Sequence, residues 1–163
     1  MRREAGVADP EGAVAQFWST LADDVDLVAA EDQLLAACDG LSAPRVLFER
    51  ASLRDFLGLE ADAVPLYERS LSVGLESPDR ERATIQLASS LRNLGRAAEA
   101  EALLRGLLDD AEAAPQATAF LALALADQGR DREALRAALQ ALAPLLPEYG
   151  RAVAAYAREL PGE

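Results

Sequence analysis

The chain has 163 residues, of which 51% are hydrophobic, and it carries a formal net charge of −12 at pH 7. This length and apolar content are sufficient for one domain with a continuous core. Because so acidic a chain repels phosphate groups and has no cluster of cations, its composition argues against binding nucleic acid or an anionic membrane.

The residue types also restrict the chemistry that the chain can perform. Every basic residue is arginine, and histidine is absent, so there is neither a Schiff-base lysine nor a histidine that could shuttle protons or bind metal. The single cysteine, Cys38, excludes an intramolecular disulfide, and its apolar neighbours predict a buried small side chain. We therefore expect no cofactor and no metal site.

Alanine and leucine dominate the apolar residues, and only 5% of the residues are aromatic. Both are strong helix formers, and no run of β-branched or aromatic residues predicts a strand. The sequence therefore predicts an all-α fold. No stretch approaches 18 apolar residues, and the start of the chain lacks the apolar core of a signal peptide, so we expect a cytoplasmic protein.

The first 42 residues predict two helices, near 11–22 and 24–38, and hold two arginines against nine acids. This pair has the length of a repeat unit but lacks its glycine, so it is either a degenerate repeat or a cap. Phe17 and Trp18 distinguish two cases. If they are buried under the next helices they belong to the core, whereas exposure would indicate an interface with another copy.

Three later segments share one pattern: Ala, six residues, Gly, four residues, Ala, with an acid just before the last alanine. The glycines are 37 and then 34 residues apart. Glycine after a helix end adopts the left-handed conformation without a Cβ penalty, and alanine allows two helices to approach closely. The pattern therefore predicts helical hairpins. Its members are Ala51, Gly58 and Ala63, then Ala88, Gly95 and Ala100, then Ala122, Gly129 and Ala134.

The predicted helix pairs are 43–57 with 60–73, 79–94 with 97–112, and 116–128 with 131–143. Ser77 is expected to cap the helix at 79–94, because it precedes a proline and an acid. A last helix near 147–160 alternates apolar residues, including Tyr156, with charged ones, which predicts the polar cap that a stack of repeats needs.

Residues 43–143 resemble the tetratricopeptide repeat (TPR) family in their period, their helix–turn–helix unit and their small-residue framework. The segments Leu57–Ala63 and Leu94–Ala100 are typical of the family, as is Tyr67 at the large-residue site of a second helix. The chain is most similar to small, stand-alone bacterial members.

The resemblance implies one domain over residues 1–163 that forms an α-α superhelix, or TPR solenoid. It would contain about three repeats at 43–143, flanked by the N-terminal helices at 1–42 and by a capping helix at 147–160.

The resemblance also implies that the first helix of each unit lines a concave groove that binds an extended or helical peptide. Aromatic rings beside arginine and amide groups suit a peptide with apolar anchors and acids. Alternatively, Arg45, Arg82 and Arg92 are a solvated face, while Phe48 and Phe120 belong to the core. The groove positions are Arg45, Phe48, Glu49, Ser52, Asp55 and Phe56, then Arg82, Gln86, Ser89, Arg92 and Asn93, then Gln116, Phe120, Leu123 and Asp127.

Catalysis is not expected, because the sequence has no phosphate-binding glycine loop and no nucleophile elbow. The acid groups at Asp23–Asp26 and Asp109–Asp110 lack the glycine turn and closing glutamate of a calcium loop, so we expect them to cap or end helices.

Two functions remain open. The first is a scaffold for protein binding, and the second is a self-associating structural or assembly protein that uses its terminal helices. A third possibility is that the acidic arm at residues 1–10 occupies the arginine-bearing groove and regulates it.

Overall fold

The computed structural model describes residues 9–22 and 25–160, and within these ranges it contains helices and no strand. The predicted all-α class is confirmed. No helix in the described ranges combines the length and apolar character needed to cross a membrane. The helices are α1 (Pro10–Thr20), α2 (Leu27–Ala37), α3 (Ala43–Phe56), α4 (Glu60–Ser72), α5 (Asp79–Asn93), α6 (Ala97–Arg105), α7 (Ala114–Asp127), α8 (Asp131–Leu142) and α9 (Gly150–Glu159).

The chain divides into two compact units, the first ending at Leu75 and the second beginning at Glu76. The first unit contains α1 to α4, and the second contains α5 to α9 with a short 3-10 helix at Ala143–Leu145. The prediction that residues 1–163 form a single domain stays a prediction.

The three predicted bends are confirmed. Gly58, Gly95 and Gly129 have φ angles of +70°, +78° and +74°, a region that side chains with a Cβ rarely adopt. In each bend the N–H after the glycine donates to the carbonyl oxygen five residues earlier, at 2.8, 2.9 and 3.0 Å. This is the bond that ends a helix in a Schellman motif. Each glycine therefore lies between two helices that pack together.

The paired alanines are buried, as the pattern predicts. Ala51 and Ala63 have no exposed surface in the hairpin of α3 and α4, and Ala88 and Ala100 are equally buried in that of α5 and α6. Small side chains at these positions allow the two helices to approach.

The N-terminal helices contribute to the core of the first unit. Phe17 is buried in a cluster with Leu34 and Cys38. Trp18 is half-buried, and its Nε1 donates to Oε2 of Glu49 at 2.7 Å. The two aromatic residues are therefore core residues of the first unit and not an exposed patch. Burial raises the pKa of the Cys38 thiol to about 11, so this side chain is neutral and buried, as predicted.

Aspartates cap the first two helices. Asp9 caps α1 and Asp26 caps α2, each through Oδ1, which accepts from backbone N–H groups of the first helical turn. The predicted capping role is therefore confirmed for Asp26. Asp110 instead accepts from two N–H groups in the turn before α7, which has no side-chain cap, and Asp23 and Asp24 lie outside the described residues.

The largest error in the predicted helix bounds is at α6, which ends at Arg105 and not near residue 112. Gly106 is a poor helix former, and the chain continues in short-range turns, with the N–H of Leu107 donating to the carbonyl of Leu104. Asp110 then competes for backbone N–H groups, which favours a turn over a further helical turn.

One smaller prediction is wrong. Ser77 does not cap α5, because its hydroxyl donates instead to Oε1 of Glu81 at 2.9 Å. In α9, Ala157 is buried, whereas the side chain of Tyr156 is mostly exposed.

Glu101 of α6 links two hairpins of the second unit. Its carboxylate accepts from Arg105 at 2.8 Å, from Gln128 at 2.9 Å and from Arg130 at 2.7 Å, and the last two residues belong to the α7–α8 bend. Burial by itself raises the pKa of Glu101. The hydrogen bonds lower it by a larger amount, so that the pKa falls to about 2.

We predict that Ala100→Leu destabilises the protein, because a larger side chain must fit between two closely packed helices. The free energy of unfolding should fall by about 1–3 kcal/mol in urea denaturation. Ala98→Leu, on the exposed face of the same helix, is the matched control and should change stability little. Equal stability of the two variants would contradict the claim that a small side chain is needed at residue 100 for α5 and α6 to pack closely.

We predict that Glu101→Gln lowers the free energy of unfolding at pH 7 by about 1–2 kcal/mol. Because the folded pKa lies below 4.5, the ordinary value for a glutamate, the ionised carboxylate stabilises the fold above about pH 4.5. This contribution is lost as the pH falls toward 2. The difference between wild type and variant should therefore shrink on acidification, whereas Glu68→Gln, exposed on α4, should behave as wild type throughout.

Candidate functional site

Six of the predicted groove residues lie on α3, and two of them are engaged by α1. Nε of Arg45 lies 2.8 Å from Oε1 of Glu49, and the same guanidinium lies 3.2 Å from Glu11 of α1. Glu49 is buried and accepts the indole N–H of Trp18. The first unit therefore satisfies Arg45 and Glu49 internally.

Three further residues of this set face Tyr67 of α4. The buried ring of Phe48 lies 6.2 Å from the Tyr67 ring, and the Tyr67 hydroxyl lies 3.4 Å from Ser52 and 3.5 Å from Asp55. Burial raises the pKa of Tyr67, so its hydroxyl stays protonated. By contrast Phe56, the last member of the set, is 46% exposed.

The other nine predicted residues lie on α5 and α7, which pack against each other in the second unit. Arg92 of α5 forms an ion pair with Asp127 of α7 at 3.2 Å and also donates to Asn93. Leu123 is exposed on α7, and Ser89 is half-buried on α5. The ion pair of Arg92 with Asp127 thus joins two of the predicted residues across the contact of α5 with α7.

A cavity of about 480 Å³ lies where the N-terminal halves of α5 and α7 meet the turn before α7. Four of the predicted residues line it: Arg82 and Gln86 from α5, and Gln116 and Phe120 from α7. Arg82 is largely exposed and forms an ion pair with Asp79 at 3.3 Å. The cavity therefore combines an aromatic ring, two amides and a cation in one place.

A buried carboxylate lines the same cavity. Glu81 is 7% exposed, and its Oε1 accepts from Ser77 at 2.9 Å and from Arg80 at 2.6 Å. Its Oε2 is buried and has no hydrogen-bond partner among the described residues. Burial raises the pKa of Glu81, but the hydrogen bonds from Arg80 and Ser77 lower it more, so the carboxylate is ionised at neutral pH.

The sequence prediction did not include Glu81, Asp110 or Glu112, although all three line the cavity. A signal for Glu81 was present, because Glu81 and Ile85 are four residues apart in the predicted helix and so share one face of it. No local signal indicated that Asp110 and Glu112 lie at this cavity. Both were predicted to belong to a helix that extends to residue 112, and not to the turn before α7.

The three helical hairpins, each with a left-handed glycine at its bend, place the chain in the class of helical-repeat proteins. The Tetratrico peptide repeat family model matches residues 44–160, which is more than half of the chain, and the chain belongs to this family. The match excludes α1 and α2 and extends through α9. The chain has no significant match among curated proteins or among solved structures.

The family is a non-catalytic scaffold family whose members generally mediate protein–protein interaction. This agrees with the general function expected from the sequence.

Proposed function

We propose that the chain is a binding module, and not an enzyme, that holds a segment of a partner protein on the α5–α7 surface of the second unit. The cavity lined by residues of both helices is the observation that carries the proposal. Phe120 and Ile85 offer apolar surface, while Arg82, Gln86 and Gln116 offer polar groups. A largely apolar pocket with a few placed polar groups is typical of sites that bind peptides.

For the first unit we propose a smaller part in binding. Arg45 and Glu49 already pair with residues of α1, and Phe48 is buried, so Phe56 has the largest ring surface to offer a partner. Ser52 and Asp55 support the buried hydroxyl of Tyr67.

Two related proposals accompany this function. We place the protein in the cytoplasm, as its sequence predicts. Regulation of the groove by the acidic arm at residues 1–10 stays a prediction, because residues 1–8 lie outside the described residues.

We predict that Gln116→Trp blocks peptide binding, because an indole at this exposed position fills the cavity mouth. A random-peptide phage library selected on the wild-type protein supplies the ligands, and fluorescence anisotropy gives their Kd. We expect the variant to weaken binding by about tenfold or more, since a peptide anchor excluded from its pocket loses most of its binding energy.

Gln140→Trp makes the same substitution at an exposed position of α8 that does not line this cavity, and it should leave Kd unchanged. If the selected peptides bind both variants as tightly as wild type, the α5–α7 surface is not the binding site.

Self-association through the C-terminal helices is a second candidate function, which one observation favours. Leu145, Tyr149 and Tyr156 are 77%, 71% and 67% exposed, and large exposed apolar side chains commonly mark interfaces.

If this second function is correct, the sedimentation coefficient should rise across a concentration series. Tyr156→Ser should shift the rise to higher concentration, because the interface loses apolar area. Ala152→Ser, also on the exposed side of α9, should not change the concentration at which the sedimentation coefficient rises. A wild-type monomer at every concentration would exclude self-association.

A further inference from the structure

The charges around the α5–α7 cavity are predominantly negative. Four carboxylates and two guanidinium groups lie in or beside it. These are Asp79, Glu81, Asp110 and Glu112, with Arg80 and Arg82.

Both arginines already have an acidic partner. Arg80 binds Oε1 of Glu81 at 2.6 Å, and Arg82 pairs with Asp79 at 3.3 Å. Asp110 directs Oδ1 to two backbone N–H groups. Among the described residues no arginine pairs with Asp110 or with Glu112. The cavity therefore retains negative charge that no neighbouring side chain compensates.

Glu81 adds a specific acceptor to this negative potential. Its carboxylate is more than nine-tenths buried, and Oε2 lacks a hydrogen-bond partner among the residues described. A carboxylate that is shielded from water is stabilised by a cation that approaches it, because the two charges attract strongly there. The carboxylate of Glu81 is thus suited to a cationic group that enters the cavity with the ligand.

The walls of the cavity suit a long side chain with a charged end. Ile85 and the ring of Phe120 are half-buried lining residues. Lysine and arginine bury their methylene stems on such apolar surface, and an aromatic ring attracts a cation over its face.

A metal ion does not fit the same position. No group of three or more acidic, histidine or cysteine side chains in the described ranges could hold one. Organic cations need no such ligand set, because each N–H group forms its own hydrogen bond.

We infer that the cavity receives a lysine or arginine side chain of the bound partner segment, with its cationic end beside the carboxylate of Glu81. This inference rests on the proposed function and specifies the partner as one with a basic anchor. It differs from the acid-bearing peptide that the arginines alone suggested in the sequence.

The test uses the full chain and a peptide from the random-peptide selection described above, labelled with fluorescein. Each basic residue of the peptide is replaced in turn by norleucine, which retains the four-carbon stem of lysine and removes the charge. One of these replacements should raise Kd by about tenfold or more. Glu81→Gln should raise the Kd of the original peptide by a similar factor and leave that of the norleucine peptide unchanged.

Two further variants are controls. Glu148→Gln alters an exposed acid of the second unit that does not line this cavity, and Kd should not change. Circular dichroism verifies that Glu81→Gln is folded. If it is not, Glu112→Gln at the cavity should still weaken the original peptide more than the norleucine peptide.

Two outcomes have different meanings. If Gln116→Trp abolishes binding while every norleucine peptide binds like its parent, the basic anchor is wrong and the proposed function stands. If Gln116→Trp leaves binding intact, the proposed function itself fails. Equal weakening of the original and norleucine peptides by Glu81→Gln would also overturn the basic anchor.

Discussion

The close approach of two helix backbones within each hairpin is the constraint on which the rest of this structure depends. Alanine meets it, because a methyl group is small enough to remain buried where the helices pack, as at Ala63 and Ala100. A hairpin with closely packed helices also needs a short turn. Glycine provides it, since Gly95 adopts a positive φ angle that reverses the chain within a few residues. A chain with few aromatic residues can therefore form hairpins with well-packed interiors.

Acidic side chains supply the specific links between successive elements within each unit. Glu31 of α2 lies 2.7 Å from Arg50 and 3.0 Å from Arg54, both of α3. Glu101 of α6 makes the corresponding link to Arg130 at the next bend of the second unit. Because both carboxylates are largely shielded from water, these pairs fix the register of neighbouring helices more firmly than exposed ion pairs would. The acidic composition of the chain is thus partly structural.

Glu81 differs from those linking carboxylates because its hydrogen bonding is incomplete. One oxygen is held by Arg80 and Ser77, and the other is buried without a donor among the described residues. Folded proteins rarely leave such groups unsatisfied, and where they do, the group often has a role in binding. The hydroxyl of Ser77 contributes to this arrangement by binding the carboxylate instead of capping α5. The start of α5 therefore lacks a side-chain cap, and the same hydroxyl instead holds the Glu81 carboxylate in position at the proposed site.

The sequence alone determined the helical class, the hairpin bends and the buried alanines, because these depend on conformational preferences and side-chain size within a few neighbouring residues. Four residues that the family pattern assigned to a groove also line the cavity between α5 and α7. Only the tertiary structure revealed the end of α6 at Arg105, the bond from Trp18 to Glu49 and the unsatisfied oxygen of Glu81. The last two depend on which side chains compete for the same partners in three dimensions, whereas α6 ends where Gly106 and the nearby Asp110 favour turns. Helical periodicity does not encode that competition, since Trp18 and Glu49 are 31 residues apart in the chain.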